Sequence, residues 1–131
     1  TYTIYIMQLI FILMISYQVK HFLADYVFQS MYMIMGKGRD GWDFLWPLTI
    51  HCSVHLIGSL LILSLVAPSL WYWAFFDFAT HFLMDRFKSS PRFWGKYTEG
   101  RPFWLALSFD QMVHHLTHYF IIYQIYLHKI N

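Results

Sequence analysis

The sequence is poor in charge and contains a single cysteine. Charged residues make up only 12% of the 131 residues, and hydrophobic residues make up 58%. Soluble domains average about 25% charged residues, so this chain lacks the polar groups that a soluble surface needs. The low charge therefore excludes an ordinary soluble domain and predicts an integral membrane protein.

Other absences narrow the class further. The lone Cys52 cannot form an internal disulfide, which excludes a disulfide-stapled scaffold. The formal net charge of +2 is too small to predict a nucleic-acid partner. Residues 2–19 are apolar but lack a basic n-region and a small-residue cleavage site, so we expect a retained span and no signal peptide. The sequence has no P-loop, no G-x-S-x-G and no H-E-x-x-H motif.

Long apolar stretches are what the chain does contain. They predict helices at about residues 2–35, 44–66, 70–87 and 102–127. Each is close to the ~20 residues that cross a bilayer, and a spanning segment must satisfy its own backbone hydrogen bonds, which favours helices. The sequence therefore predicts an all-α fold: one domain, residues 1–131, forming an integral membrane up-down bundle of four transmembrane helices.

The basic residues give the predicted bundle an orientation. The first predicted loop carries Lys37 and Arg39, whereas the second, at residues 67–69, carries none. Five more basic residues lie in or beside the third loop: Arg86, Lys88, Arg92, Lys96 and Arg101. By the positive-inside rule, loops one and three face the cytoplasm and both termini face outward. The expected location is the cell inner membrane, with the lipid bilayer as the main partner.

Histidine and aspartate occur in pairs four residues apart on every predicted helix. The pairs are His21 and Asp25, His51 and His55, His81 and Asp85, and Asp110 and His114. Two residues spaced i, i+4 lie on one face of a helix and can point at a common centre. In an up-down bundle the four pairs also lie at similar depth, towards the basic loops. We therefore expect these eight side chains to converge near the cytoplasmic face.

Convergence of these residue types favours a metal. An Asp at the centre of a spanning helix costs ~2.5–3.5 kcal/mol on insertion scales, so it needs a partner. A divalent ion would satisfy several such groups at once, and mixed nitrogen and oxygen donors favour Zn²⁺, with Fe²⁺ or Mn²⁺ as alternatives. The competing interpretation is a proton relay or a structural polar network. In that case Asp25 would pair with Lys20 or Lys37, and Asp77 would be a buried structural acid.

Three motifs carry a family resemblance. They are His21-Phe-Leu-Ala-Asp25 with Gln29, His81-Phe-Leu-Met-Asp85 with Lys88, and Asp110-Gln111-x-x-His114. Together with His51-x-x-x-His55, they make the chain resemble the bacterial and phage integral-membrane family catalogued as domain of unknown function 3307. The resemblance implies a compact membrane domain whose signature is these polar positions, and it implies no activity.

The motifs are also loosely similar to those of small membrane-bound metal-dependent hydrolases. That similarity implies an ion that activates water, with Asp25 or Asp110 as the catalytic carboxylate that takes its proton. A site at headgroup level would favour a lipid or lipid-linked phosphate, whose anionic group Lys88, Arg92 and Lys96 could hold.

Three alternatives compete with a hydrolase. A short chain with short loops also fits an accessory or assembly subunit of a larger membrane complex, stapled by a structural metal or a polar network. The boxes at His51-x-x-x-His55 and His114-His115-x-x-His118 would suit a di-iron oxidase, although such families use more boxes. Bis-His haem ligation is the third alternative, and it leaves the Asp residues unexplained. On helical spacing, His115 and His118 cannot both share the face of Asp110 and His114.

Overall fold

The fold is built entirely from helices. A computed structural model describes residues 1–131, with five α-helices and no strand. They are α1 (Tyr2–Phe22), α2 (Met31–Gly36), α3 (Leu45–Val66), α4 (Trp73–Ser89) and α5 (Gly100–Ile130). Short 3₁₀ turns occur at Pro68–Leu70 and Trp94–Lys96. The predicted all-α class is confirmed.

The predicted first helix, residues 2–35, is interrupted in the structure. After α1 the chain forms a π-helical turn at Leu23–Val27 and then leaves the helix before α2. Ser30 caps α2, since its hydroxyl accepts a hydrogen bond from the Met33 amide at 3.4 Å. Gln29 donates to the Asp25 carbonyl at 2.7 Å, which satisfies an acceptor that the interrupted helix leaves free. Hydropathy alone does not predict this interruption, because the apolar run continues across it.

The four long helices pack in an up-down arrangement. Helix α1 contacts α3 and α5, and α4 also contacts α3 and α5. At one end of the bundle the Tyr2 hydroxyl donates to the Lys129 carbonyl. At the opposite end, Arg86 donates to the carbonyls of Lys37 at 3.2 Å and Arg39 at 2.9 Å. The segments that follow α2 and α4 therefore lie together, as the sequence predicts for the basic loops.

Further contacts hold these two basic segments against each other. The Arg86 guanidinium lies 3.6 Å from the centre of the Phe44 ring, a cation–π contact. Arg92 donates to Asp40 at 3.1 Å, and the Gly41 amide together with Arg92 lowers the pKa of this exposed carboxyl. Gly95 passes so close to the backbone carbonyl of Ser89 that a Cβ atom would collide with it. The two segments thus form a packed cap over one end of the bundle.

The interior of the bundle is unusually polar, and its exterior is apolar. Fourteen of the 33 buried residues are polar or charged. An apolar core around Leu13, Tyr17 and Ile121 fills the end near the termini. By contrast, Leu65 is 85% exposed and Trp46 is 73% exposed on the outside. This distribution is the reverse of that in soluble domains, where charged side chains are almost never fully buried unless they are paired.

Two segments are long and apolar enough to cross a membrane, Tyr2–Val27 and Leu45–Val66. The sequence predicted four spans. Helix α4 has only 17 residues and is too short for this class. Helix α5 is long enough, but polar residues such as Asp110, Gln111 and His114 lower its hydropathy. The buried aspartates of both helices point into the bundle, and apolar side chains such as Leu83 lie outside.

Candidate metal centre

The eight predicted site residues lie in one continuous cluster. They come from the end of α1 and its π-helical turn, from α3, from α4 and from α5: His21, Asp25, His51, His55, His81, Asp85, Asp110 and His114. All are buried except Asp25, whose side chain remains 12% exposed. The i, i+4 spacing on each helix brings two side chains inward, and the packing of four helices brings the pairs together.

One part of the cluster surrounds the Asp25 carboxylate. Its Oδ1 lies 2.7 Å from His55 Nε2 and 3.4 Å from His51 Nε2. These three residues place donor atoms within 4.8 Å of one another, and we call them the Asp25 group. They join the π-helical turn to α3, so the interruption of the first helix contributes directly to the site. Short π-helical segments are frequent at functional sites.

A second part surrounds Asp85 and Asp110. His114 Nε2 lies 2.9 Å from Asp85 Oδ1 and 3.0 Å from Asp110 Oδ1. These three residues, the Asp85 group, also place donor atoms within 4.8 Å of one another. The other oxygen of Asp85, Oδ2, lies 3.1 Å from His51 Nε2 in the Asp25 group. The two groups are therefore in direct contact through Asp85 and His51.

These separations fit the donor set of a divalent ion. Ligand atoms ~2.0–2.2 Å from one ion lie roughly 2.8–3.6 Å apart at the angles that tetrahedral and octahedral coordination impose. The nitrogen-to-oxygen distances in both groups run from 2.7 to 3.4 Å. Each Nε2 of His51, His55 and His114 lies within hydrogen-bond distance of a carboxylate, which favours a proton there, whereas the Nδ1 atoms have no partner in the protein. An ion bound at Nε2 would replace these hydrogen bonds, and the proton would move to the free Nδ1. Imidazole nitrogens and carboxylate oxygens are ligands that Zn²⁺, Fe²⁺ and Mn²⁺ accept.

His21 and His81 form a further set of possible ligands with His55, since their donor atoms lie within 4.8 Å of one another. His21 Nε2 lies 2.7 Å from Gln111 Oε1 and 3.2 Å from Asp25 Oδ2, positions that suit an N–H donor which orients the Asp25 carboxylate. The His81 ring stacks between His55 and His114, with ring centres 3.7 and 3.9 Å away, and its Nε2 has no hydrogen-bond partner in the protein. The role of both residues as ligands stays a prediction.

A separate buried network lies one helical turn away, around Asp77. Lys20 Nζ lies 2.5 Å from Asp77 Oδ2, and the Ser59 hydroxyl donates to the same oxygen. His81 Nδ1 lies 2.9 Å from Asp77 Oδ1, and His118 Nε2 lies 3.1 Å from Lys20 Nζ. Asp77 is therefore a paired interior acid, as one sequence interpretation expected. That interpretation paired Asp25 with Lys20 or Lys37, whereas the structure pairs Lys20 with Asp77 and Lys37 with Asp85.

His115 and His118 lie beside the cluster, with ring centres 5.0 and 5.8 Å from that of His21. His118 belongs to the Asp77 network, whereas His115 is half-buried with its Nδ1 3.2 Å from Gln18 Nε2. His128 is outside the cluster, 3.4 Å from the Ser69 hydroxyl near the opposite end of the bundle. His115 and His118 thus have different hydrogen-bond partners.

A cavity of about 630 Å³ reaches the cluster from the basic end of the bundle. Asp25, Gln29, Lys37 and Lys88 line it together with aromatic and aliphatic side chains, and we call it the Asp25 cleft. Lys88 Nζ lies 2.7 Å from Asp110 Oδ2, which links the cleft to the Asp85 group. Asp110 itself does not line the cleft.

Lys37 belongs to this cleft, although the sequence gave no sign of it. Its Nζ lies 2.8 Å from Gln29 Oε1 and 3.5 Å from Asp85 Oδ2. Arg92 and Lys96, predicted beside Lys88 as anion-holding residues, do not line the cleft. Arg92 pairs with Asp40, and Lys96 lies 5.2 Å from the Tyr97 ring on the exposed cap.

The fold and cluster define an all-α protein that holds its polar residues inside a bundle with an apolar exterior. The chain belongs to the family described as protein of unknown function (DUF3307), whose profile matches residues 9–131. This match confirms the family suggested by the sequence motifs and covers all eight predicted site residues. No curated protein and no solved structure is significantly similar to the chain.

Replacing Lys20 by Met tests the Asp77 network. The variant keeps the aliphatic part of the side chain and leaves the Asp77 carboxylate buried without its cation. We expect the free energy of unfolding to fall by about 3–5 kcal/mol, the usual cost of breaking a buried ion pair from one side. Denaturant titration in detergent micelles, followed by circular dichroism, measures the change.

Two further variants serve as controls for this prediction. Adding Asp77→Asn to Lys20→Met removes the unpaired charge and should restore part of the stability. Lys96→Met changes an exposed lysine and should stay within about 0.5 kcal/mol of the parent protein. If Lys20→Met cost no more than Lys96→Met, the network would not contribute to stability.

Proposed function

We propose that this protein spans the inner membrane four times and uses its His/Asp cluster as a divalent-metal centre that hydrolyses a phosphate ester of a lipid or lipid-linked substrate. The centre lies at the headgroup level of the cytoplasmic face, next to the basic loops. Zn²⁺ is the favoured ion, with Fe²⁺ or Mn²⁺ as alternatives.

The distribution of polar groups supports four spans. Asp77, Asp85 and Asp110 of α4 and α5 are buried inside the bundle, while Leu83 and Leu116 on the outer faces are 70% and 55% exposed. Ionisable residues in membrane helices face the bundle interior and pair with one another, as these do. An apolar exterior of this extent would be a large aggregation-prone patch on a soluble protein.

One observation carries the enzymatic part of the proposal: the Asp25 carboxylate belongs to the cluster and also lines a cleft with Lys37 and Lys88. Structural metal sites are closed by protein ligands, whereas catalytic sites keep a position that water and substrate can reach. A cluster that opens onto a cleft therefore favours catalysis over a structural staple.

The residues of the cleft suggest how the reaction proceeds. An ion held by the cluster would supply Lewis acidity and would lower the pKa of bound water to about 7. Asp25, the one cluster carboxylate on the cleft, takes the proton from the attacking water. Asp110 is buried away from the cleft and binds Lys88 and His114, so we assign it a positioning role.

The same cleft suits a lipid phosphate. Lys37 and Lys88 place two ammonium groups beside the centre, where they would attract a phosphate oxygen. Ile34, Phe103 and Leu107 make the rest of the wall apolar, which fits the start of an acyl or isoprenoid chain. A substrate in the membrane would thus reach the centre from the headgroup region.

Haem is the alternative least compatible with this geometry. The His81 and His114 rings lie 3.9 Å apart with planes inclined by only 6°. That spacing leaves no room for a porphyrin between them. An accessory-subunit function is favoured by one specific feature, the exposed Trp42 and Trp46, which could pack on partner helices.

Hydrolysis in a membrane mimic tests the enzymatic proposal. We expect purified protein in nanodiscs with Zn²⁺ or Mn²⁺ to release phosphate from dioctanoyl phosphatidic acid. Activity should disappear in chelator and return with the ion. Asp25→Asn should lower the rate by 10²–10⁴, the usual contribution of a general base. His128→Ala, far from the cleft, should leave the rate unchanged.

Two negative results would have different meanings. Protein that binds metal but hydrolyses neither phosphatidic acid nor a short-chain phosphatidylglycerol would contradict the enzymatic proposal and favour the accessory subunit. Protein that keeps its fold in chelator and contains no metal would contradict the metal centre itself.

Cysteine labelling tests the spans and their orientation. In a Cys52→Ala background, we expect Ser69→Cys to react with a membrane-impermeant maleimide in intact spheroplasts. Asp40→Cys should react only after permeabilisation, because the first loop faces the cytoplasm. Lys96→Cys is the matched control in the third loop and should behave like Asp40→Cys. Equal labelling of Ser69→Cys and Asp40→Cys in intact spheroplasts would contradict the proposed topology.

A further inference from the structure

Four sets of three residues in the bundle place donor atoms within 4.8 Å of one another, and two of these sets meet at Asp85. Asp25, His51 and His55 form one of these two, and Asp85, Asp110 and His114 form the second. The other two sets are His21, His55 and His81, and Asp77, His81 and His118. A mononuclear site needs only one such set. Two complete sets in contact indicate a centre that can bind more than one ion.

Asp85 connects the sets through its two different oxygens. Oδ1 lies 2.9 Å from His114 Nε2, and Oδ2 lies 3.1 Å from His51 Nε2. The carboxylate thus faces one set with each oxygen, as a carboxylate does when it bridges two metal ions. In two-metal sites the ions lie about 3.5–4 Å apart, a separation that one carboxylate spans.

We infer that the cluster binds two divalent ions bridged by Asp85 and that this pair acts on a phosphate ester. The inference rests on the proposed metal-dependent function and adds the number of ions and their bridge. One ion would be held by Asp25, His51, His55 and Asp85 Oδ2. The other would be held by Asp85 Oδ1, Asp110 and His114. Three protein ligands leave a coordination position for water or substrate at the second ion.

The charge of the centre supports an anionic substrate. The three carboxylates Asp25, Asp85 and Asp110 face the two ammonium groups of Lys37 and Lys88. Two divalent ions would leave three excess positive charges, which are costly in a buried site. A hydroxide and a phosphate dianion would neutralise them, whereas a neutral carboxylic ester would not. Two-metal centres stabilise the attacking and leaving oxygens of phosphate esters in this way.

The cleft reaches the Asp25 half of the centre directly and the Asp85 half only through Lys88, which binds Asp110. A phosphate group in the cleft would therefore lie beside Asp25 and the two lysines. In the hydrolysis, an oxygen of water bonds to phosphorus, the ester oxygen leaves with the electron pair of its bond, and Asp25 takes the water proton.

Counting ions on the intact protein tests the inference. We expect chelator-stripped protein in detergent to bind about two Mn²⁺ per chain by titration, with an electron paramagnetic resonance spectrum of an exchange-coupled pair. His114→Ala and His55→Ala should each bind about one ion and lose the coupled spectrum. Asp85→Asn should also lose the coupling. His115→Ala, outside both sets, should bind two coupled ions like the parent protein.

The number of ions that the parent protein binds tests the two-ion centre by itself, so the test does not depend on how well the variants fold. One Mn²⁺ per chain without coupling would overturn the two-ion centre and leave the proposed metal-dependent function standing. No bound ion would overturn both. Two coupled ions in Asp85→Asn would overturn the bridging role of Asp85.

Discussion

Buried carboxylates in an interior with little water must be matched by positive charge or by hydrogen-bond donors, and the structure is organised around that requirement. Asp77, Asp85 and Asp110 are all less than 3% exposed, so each would be costly without a partner. Each is matched by a lysine from another part of the chain: Lys20, Lys37 and Lys88. Because the partners lie on different segments, the ion pairs tie separate parts of the chain together across the bundle interior. Apolar helix faces can pack against one another in many arrangements, whereas these ion pairs can form in only a few of them.

The same requirement explains why the first helix is interrupted. If α1 continued as a straight helix, Asp25 and Gln29 would lie farther along the bundle and would not turn back over its end. The π-helical turn and the short α2 bring Gln29 and Lys37 back towards Asp85, and they form one wall of the cleft. The packed cap of the two basic segments, which Arg86 holds together by hydrogen bonds, forms much of the rest of the cleft wall. Local irregularity thus opens the polar cluster to the Asp25 cleft.

The sequence predicted which residues form the cluster better than it predicted which side chains pair with one another. The i, i+4 pairs on four helices were sufficient to name all eight residues that the structure brings together, because helical spacing and common depth are visible in the sequence. The lysine partners were not predictable. Lys20 and Lys37 are distant in sequence from Asp77 and Asp85, and only the packing shows that they meet. The start of α2 was missed because its N-cap, Ser30, lies inside an apolar run. Only Tyr2–Val27 and Leu45–Val66 are long and apolar enough to cross a membrane, because α4 is short and the polar residues of α5 lower its hydropathy.

The central claim is that imidazole and carboxylate groups of the cluster bind divalent metal directly. X-ray absorption at the metal edge of protein purified without added metal tests it most directly, or of protein reconstituted with Zn²⁺ if the ion is lost in purification. The account predicts a first shell of nitrogen and oxygen at about 2.0–2.2 Å with the outer-shell scattering of imidazole. A shell of oxygen alone without imidazole scattering, in protein whose fold is intact, would contradict it.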